Sequence, residues 1–204
     1  MTVIVHYGAG NLKSVARALE RLGESSVITS DPKVIARAKR LILPGVGSFD
    51  TAMSTLTERG IVPVLEDRVF GGGVPILGIC LGLQLFTRRS EEGSLAGLGW
   101  MAGETKRFQP IEQTMKIPHI GWNTVDQTGQ GRLYAGFPSE ASLYFVHSYY
   151  VTSDDPGIVT GRSTYGETFV SSIEKGNIFG VQFHPEKSQQ IGLQLLSNFL
   201  DVSA

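Results

Sequence analysis

The first half of the chain alternates strand-like runs with helix-like runs, and this alternation constrains the fold most strongly. Short apolar runs rich in β-branched residues occur in "TVIVHYGAGN", "SVITS", "RLILPGVG" and "VPILGI". Apolar residues at helical spacing begin near Leu12, after Asp31-Pro32, at Phe49 (up to Phe70) and in "LGLQLFTRRS". Strands that alternate with helices form a parallel sheet with helices on both faces. The pattern predicts an α/β fold with a mostly parallel open sheet flanked by helices.

The second half has a different pattern, because strand-like runs follow one another there without helices. After Trp100 these runs are "SLYFVHSYYVT", "IVTGRSTYG", "ETFVSSI" and "NIFGVQF", and "EKGN" (Glu174 to Asn177) is typical of a hairpin turn. A closing helix is predicted after Ser188, with one apolar face formed by Ile191, Leu195, Leu196, Phe199 and Leu200. The sheet should therefore gain an antiparallel extension in the C-terminal half.

Size and charge narrow the class of protein. The 204 residues fit a single domain over residues 1–204. A net charge of −1 argues against a nucleic-acid or anionic-membrane partner. The single cysteine excludes an internal disulfide framework and suits a reducing compartment. No apolar run approaches the roughly 20 residues that a membrane span needs, and no secretory signal opens the chain, so we expect a cytoplasmic protein.

That single cysteine, Cys80, lies in "GICLG", where an apolar strand-like run becomes a helix-like one. A sharp strand-to-helix turn exposes its central side chain at the top of a sheet, and small residues such as Gly78 and Gly82 relieve the crowding. The helix N-terminus favours a thiolate, and the N–H of Leu81 would be free to bind an oxyanion. A lone cysteine is more often a buried structural residue. The flanking glycines favour a nucleophile.

A nucleophilic thiol needs a base, and the chain has four histidines. His6 belongs to the first apolar strand and is expected in the core, and His119 is expected in a loop. His147 lies within a strand and could be either a core residue or the base. His184 instead ends the strand "IFGVQF" and precedes Pro185 and Glu186, whose carboxylate would orient the imidazole. Ligand sites of open α/β sheets lie beyond the carboxyl ends of strands. Cys80 and His184 should therefore reach one crevice if their strands run parallel.

A third element occupies the same position after a strand, the loop in "LPGVGSF". Gly45, Val46 and Gly47 follow the third predicted strand. Glycines leave backbone N–H groups free to turn toward a substrate, so this loop is a candidate second oxyanion donor. A tight turn that needs positive φ explains the same glycines, and the two explanations are compatible.

Together, "GICLGLQL", "VQFHPEKS" and "LPGVGSF" resemble the class I glutamine amidotransferases, which have a Cys-His-Glu triad. More narrowly, "YGAGNLKSV", "SEEG", "PHIGWN", "YFVHSYY" and "GVQFHPEKSQ" are similar to the glutaminase subunits of imidazole glycerol phosphate synthases, in the same order over nearly the whole chain. The cysteine and HPE motifs identify only the superfamily. "PGVGSF", "PHIGWN" and "HPEKSQ" together indicate the narrower group.

The resemblance implies a role for each matching residue. Cys80 would be the nucleophile, His184 the base and Glu186 its orienting acid. Residues that match oxyanion donors or substrate-holding positions of the family are Leu81, Gly45, Val46 and Gly47 for the oxyanion, and Gln84, Glu92, Ser148 and Tyr149 for glutamine. Composition alone would place Gln84 on a helix surface and make Glu92 a solvated charge.

The implied reaction is hydrolysis of glutamine to glutamate and ammonia through a cysteinyl thioester, with no metal and no organic cofactor. The implied partner is a cyclase subunit, a (β/α)₈ barrel that would form a heterodimer with this chain. It would incorporate the ammonia, making imidazole glycerol phosphate and an aminoimidazole carboxamide ribotide from a phosphoribulosyl precursor in histidine biosynthesis.

The loops "GAGN", "PGVGS", the Cys80 elbow and "HPEKSQ" should gather on one face of the sheet, which the partner would cover. Asn11, Trp122 and Lys187 are the residues expected at this contact. Trp122 would be a buried anchor and Lys187 would pair with a carboxylate of the barrel. Burial of Trp122 in the core and solvation of Lys187 is the plain alternative.

Three other functions remain open from the residues. The glutaminase of pyridoxal phosphate synthesis shares the triad and the size, but "PGVGSFD" and "PHIGWN" argue against it. A nucleotide-binding module would explain "GAGNL", yet Lys13 stands where the dinucleotide pattern needs a third glycine. A non-catalytic thiol sensor would use the same elbow without needing the His and Glu.

Overall fold

The computed structural model describes residues 1–8, 10–110, 115–128 and 131–202. Within these ranges the strands β1 to β11 are Thr2–Val5, Ser26–Thr29, Arg40–Gly45, Ile76–Cys80, Thr105–Arg107, His119–Gln127, Ala141–His147, Tyr149–Val151, Val159–Tyr165, Glu167–Lys175 and Ile178–Val181. The helices α1 to α6 are Leu12–Arg21, Pro32–Ile35, Phe49–Glu58, Ile61–Glu66, Leu81–Gln84 and Gln189–Leu200.

The strands form a mixed sheet in the order β2-β1-β3-β4-β11-β10-β9-β6-β7, with β8 and β5 attached beside β10. β1 to β4 and β11 pair in parallel. β10 is antiparallel to β11 and β9, and β6 is antiparallel to β9 and β7. The predicted parallel sheet with an antiparallel extension is confirmed. β11 comes late in the chain yet joins the parallel part.

Two apolar cores lie on opposite faces of this sheet, because successive strand residues point in opposite directions. Val3 and Leu41 face α2, α3 and α4 on one side. Ile4 and Ile42 face α1 and α6 on the other. Helices therefore cover both faces, as the alternating pattern in the sequence predicts.

Several predicted boundaries are wrong. The helical stretch from Phe49 to Phe70 is divided into α3, α4 and a π-helical turn over Asp67–Gly71. Gly60 interrupts it in the left-handed conformation, with φ 64°. The hairpin turn at "EKGN" is confirmed, since Gly176 takes φ 61° between β10 and β11. No helix in the described ranges has the length and apolarity to cross a membrane.

The helix after Cys80 is also much shorter than the predicted "LGLQLFTRRS". α5 ends at Gln84, and the next N–H groups bond three residues back, from Phe86 to Leu83 and from Thr87 to Gln84. The carbonyls of Leu85 and Phe86 instead accept hydrogen bonds from Leu98 and Met101. Tertiary hydrogen bonds thus replace the helical ladder after one turn.

His119 is the first residue of β6 and is buried, so its predicted position in a loop is wrong. Each backbone position of β6 from His119 to Val125 pairs with a residue of β7, and His119 lies opposite His147. Pairing with a distant strand, rather than local β-propensity, makes "PHIGWN" extended.

Candidate active site

Cys80 ends β4 in a strained conformation, with φ 55° and ψ −107°. A non-glycine residue adopts such angles only where its surroundings enforce them. A Cβ added at Gly78 would lie 2.7 Å from the Phe86 ring, and one at Gly82 would collide with the Leu43 carbonyl. The glycines therefore allow the tight turn, as predicted. Leu81 begins α5, so its N–H has no partner within that helix.

His184 reaches the same edge of the sheet as Cys80. β11 is parallel to β4, with Val181 opposite Ile79, and the chain then runs through a 3₁₀ turn over Pro185–Lys187. The His184 Nδ1–H donates to Glu186 Oε1 at 2.8 Å, and both side chains are almost fully buried. Because Nδ1 carries this proton, the Glu186 carboxylate fixes the orientation of the ring.

The electrostatics of His184 favour its charged form. Burial lowers its pKa, but the Cys80 sulfur and the Glu186 carboxylate together outweigh burial and raise it to about 10. The Nε2 atom of His184 is buried and has no hydrogen-bond partner among the described residues. An imidazolium next to the cysteine, with one nitrogen uncommitted, is suited to stabilise a thiolate and to deliver a proton.

A cleft of about 290 Å³ opens beside Cys80. Its lining is Val46, Gly47, Cys80, Leu81, Gln84, Glu92, Pro118, Val146, His147, Ser148 and Tyr149. The structure thus gathers in one cleft the predicted nucleophile, part of the predicted oxyanion loop and all four of the predicted glutamine-holding residues. Gly45 lies directly beneath, opposite Cys80 in the β3–β4 ladder.

The predicted oxyanion loop connects β3 to α3. Gly47 has φ 119°, which favours glycine, and Val46 is 43% exposed. A Cβ at Gly45 would collide with the Tyr7 hydroxyl, so glycine is required there by a close approach. That hydroxyl is buried without a described hydrogen-bond partner.

Gln84 and Glu92 are both more enclosed than composition predicts. Gln84 is 4% exposed, and its Nε2 donates to the Tyr149 carbonyl at 2.9 Å and to Gln182 Oε1 at 3.2 Å. Glu92 Oε2 accepts the N–H of Phe49 at 2.8 Å, at the start of α3. Burial raises the pKa of Glu92, while that hydrogen bond opposes the rise. Gln84 builds the wall, whereas Glu92 presents an acidic group to the cleft.

Sequence reasoning missed several residues of the site. Gln182 is fully buried, and its Nε2 lies 3.6 Å from the Cys80 sulfur. Pro118 and Val146 line the cleft, and so does His147, which the sequence left open between a core and a functional residue. A glutamine inside the apolar run "IFGVQF" is the one local signal that points to a buried polar function.

The residues predicted at a partner contact are exposed or half-buried. Trp122 is 48% exposed, so burial of Trp122 in the core is excluded. Its ring meets that of Tyr144 edge-on at 5.9 Å, and the Lys187 ammonium lies 5.7 Å from the same Tyr144 ring. Asn11 is exposed just before α1. The turn at Gly10 lies close to the end of β3, since a Cβ added at Gly10 would be 3.5 Å from the Pro44 carbonyl oxygen. Ala9 is outside the described residues.

In the described part of the chain, no group of three or more His, Cys, Asp or Glu side chains is arranged to hold a metal ion.

The family model of class I glutamine amidotransferases matches residues 3–202. The chain belongs to this family. Its relatives within the glutamine amidotransferases include an imidazole glycerol phosphate synthase subunit HisH of Moorella thermoacetica, 49% identical over 96% of this chain and 92% of that protein. The subunit HisH 1 of Campylobacter jejuni (strain RM1221) is 46% identical over 98% of this chain and 99% of its own length.

A solved structure described as a glutamine amidotransferase shares the fold of this family member. It matches with a TM-score of 0.75 over 98% of this chain and 97% of that chain, at 22% sequence identity. At this identity the likeness bears on the fold alone.

Proposed function

We propose that this chain is the glutaminase subunit of an imidazole glycerol phosphate synthase, a single domain over residues 1–204 in which Cys80 hydrolyses glutamine. The observation that carries this proposal is the position of the strained Cys80 turn and the His184–Glu186 pair at the carboxyl ends of two adjacent parallel strands. The HisH relatives, which match almost end to end, supply the biosynthetic context.

The reaction begins with attack of the Cys80 thiolate on the side-chain carbonyl carbon of glutamine. A C–S bond forms and the carbonyl electrons move to oxygen, which the N–H of Leu81 and N–H groups of the Val46–Gly47 loop stabilise. As the tetrahedral intermediate collapses, the C–N bond breaks and the imidazolium of His184 gives its Nε2 proton to the departing ammonia.

Hydrolysis of the thioester uses the same groups in reverse order. Neutral His184 takes a proton from water, and the hydroxide adds to the thioester carbon. The oxyanion forms again and then expels the Cys80 thiolate, so glutamate leaves and the ion pair with His184 is restored. Glu186 keeps its hydrogen bond to Nδ1 throughout and so holds Nε2 toward the reacting atoms.

The cleft has groups that suit the amino-acid end of glutamine. The Glu92 carboxylate is placed to receive the substrate's α-ammonium group, because only one of its oxygens is used by the N–H of Phe49. Ser148 and Tyr149 line the opposite side and offer backbone and hydroxyl groups. Gln84 acts on this wall indirectly, by holding the Tyr149 carbonyl.

The ammonia would pass to a cyclase subunit with a (β/α)₈ barrel in a heterodimer. We place the docking surface on Asn11, Trp122 and Lys187. Since the exposed Trp122 and the half-buried Tyr144 and Lys187 form one group next to the turn that bears His184, a partner seated there would lie beside the site. The near-neutral chain suits a cytoplasmic complex without a nucleic-acid or membrane partner. The relatives favour this assignment over pyridoxal phosphate synthesis and over a non-catalytic nucleotide-binding or thiol-sensing role.

The decisive experiment measures glutamate released from glutamine by the wild-type chain and by Cys80→Ala, each with and without the cyclase subunit and its ligand. We expect low activity of the isolated wild type and strong stimulation by the loaded partner, since Gly47, with φ 119° and open space around it, permits the loop to change its peptide orientation. A fully active isolated chain that ignores the partner would contradict this coupling.

Cys80→Ala should lower the rate of glutamate release about 10⁴-fold or more, because it removes the nucleophile. The matched control is synthesis by the same complex from ammonium salts, which bypasses Cys80 and should remain unchanged. If Cys80→Ala still hydrolysed glutamine, this result would contradict nucleophilic catalysis by Cys80.

A further inference from the structure

A series of hydrogen-bonded polar groups, which begins at the half-buried Asn123 of β6 and is otherwise buried, runs to the glutamine cleft. Asn123 Nδ2 lies 3.4 Å from His119 Nε2, and His119 Nδ1 lies 3.0 Å from His147 Nε2. His147 Nδ1 lies 2.8 Å from the carbonyl oxygen of Tyr149. Both imidazoles are almost fully buried, and His119 stacks between the rings of Phe145 and Tyr165.

The Tyr149 carbonyl at one end of this hydrogen-bonded series determines which nitrogen of each imidazole carries hydrogen. A carbonyl only accepts, so His147 Nδ1 must carry hydrogen and donate to the Tyr149 oxygen. In a neutral ring His147 Nε2 is then an acceptor, which requires hydrogen on His119 Nδ1. The remaining nitrogen, His119 Nε2, accepts from the Asn123 amide. Both histidines are therefore neutral Nδ1–H tautomers.

The same Tyr149 oxygen joins the histidines to the nucleophile. Its second lone pair accepts a hydrogen bond from Gln84 Nε2. The other hydrogen of Gln84 Nε2 is donated to Gln182 Oε1. The Gln182 amide nitrogen then lies 3.6 Å from the Cys80 sulfur. Every amide orientation follows from its neighbour, so the chain is complete from Asn123 to the thiol.

The environment keeps both rings neutral. Desolvation lowers the pKa of His119 to about 4. It also lowers the pKa of His147 to about 3, with further lowering from the charges of His119 and His184 and opposition from the hydrogen bond to Tyr149. A proton added to His147 Nε2 would remove the acceptor that His119 needs and would face the His184 imidazolium.

We propose that His119 and His147 are positioning residues of the glutaminase site, which as a neutral pair hold the Tyr149 carbonyl and, through Gln84 and Gln182, the glutamine wall and the Cys80 sulfur. This proposal rests on the proposed glutaminase function. It also gives β6 two roles, because its inward residues His119 and Asn123 belong to the chain while its outward Trp122 belongs to the proposed docking surface.

The first test reads the tautomers without any activity. Side-chain ¹⁵N spectra of the full-length chain at neutral pH report which nitrogen of each neutral histidine carries hydrogen. His6→Asn and His184→Asn identify the other two rings, so the two remaining signals belong to the pair. We expect both to show hydrogen on Nδ1 and none on Nε2. An Nε2–H form or a charged ring at either position would overturn the proposal.

The second test separates KM from kcat for glutamate release in the complex with the cyclase subunit. His147→Leu leaves the Tyr149 carbonyl short of a donor, and we expect KM for glutamine to rise about tenfold, equivalent to about 1.4 kcal/mol. His147→Asn places an amide N–H near the former Nδ1 and should return KM to within about twofold of wild type. Tyr165→Phe is the matched control, since it keeps the ring against His119 and removes only a hydroxyl that donates to Lys116.

A purely structural role would lower the melting temperature and the active fraction, and hence kcat, while KM stayed constant. Unchanged KM in His147→Leu, or no recovery in His147→Asn, would refute positioning while leaving the glutaminase function in place. Absence of glutamate release by the wild-type complex would refute the proposed function itself. If His147→Leu does not fold, the KM of His147→Asn and the tautomers decide.

Discussion

The active site has two walls, the ends of the parallel strands and the antiparallel pair of β6 and β7, and their electrostatics are opposite. At the ends of the parallel strands, the Cys80 sulfur and the Glu186 carboxylate raise the pKa of His184, which favours its charged form. In the other wall, β7 supplies His147, which lines the cleft, and β6 supplies His119, which lies against it; burial lowers the pKa of both and so keeps them uncharged. The same residue type is thus ionised in one wall and neutral in the other. The comparison indicates that a histidine with charged partners, such as His184, is suited to proton transfer. Histidines with neutral partners, such as His119 and His147, are suited to holding other groups in position.

The largest expected contrast is between substitutions of the two kinds of histidine. His184→Leu removes the proton donor and should lower kcat for glutamate release by about 10³-fold or more. His147→Asn, which keeps a donor at the same place in the other wall, should leave kcat within a few-fold of wild type. Steady-state kinetics of both complexes provide the comparison. A comparable loss of kcat in both variants would erase the distinction between the walls.

Stability should depend on pH with opposite signs for the two walls. Folded His184 keeps its proton up to about pH 10, whereas an unfolded histidine loses it near 6.5, so its contribution is complete below 6.5 and lost as pH rises toward 10. His119 and His147 titrate near 4 and near 3 when folded, so their contribution is present above 6.5 and lost as pH falls toward those values.

Urea unfolding of the isolated chain at several pH values checks these signs. The free energy of unfolding should be highest near neutral pH and decline on both sides. His184→Leu should flatten the alkaline decline and leave the acid decline in place. A wild-type stability that keeps rising from neutral pH toward pH 10 would contradict the charged state of His184.

The smallest expected effects concern substitutions in the proposed docking surface for the cyclase subunit. Trp122→Ala should weaken the complex about tenfold or more, as expected for an aromatic anchor, and Lys187→Ala by less. Titration calorimetry with the cyclase subunit measures this, and the melting temperature of the free chain serves as the control because Trp122 is half exposed. Wild-type affinity in both variants would place the docking surface elsewhere.

The sequence predicted the charged wall far better than the neutral one, and the reason is physical. Gly78 and Gly82 mark the turn at Cys80 locally, and the apolar strand before His184 marks its end, so spacing alone locates both. His119 joins the site only through pairing of β6 with β7, a long-range contact that no local pattern reports. The parallel sheet was likewise predictable from alternation, whereas the end of α5 depends on distant hydrogen bonds from Leu98 and Met101.

The proposed covalent intermediate at Cys80 would set the charged wall apart from the neutral one, and acid-quenched mass spectrometry of the complex during turnover of glutamine tests for it. Wild type should carry one glutamyl group on the peptide that contains Cys80, removable by hydroxylamine as expected for a thioester, and Cys80→Ala should carry none. Glutamate release that proceeds under the same conditions without any such adduct, or an adduct that persists in Cys80→Ala, would contradict nucleophilic catalysis by this cysteine.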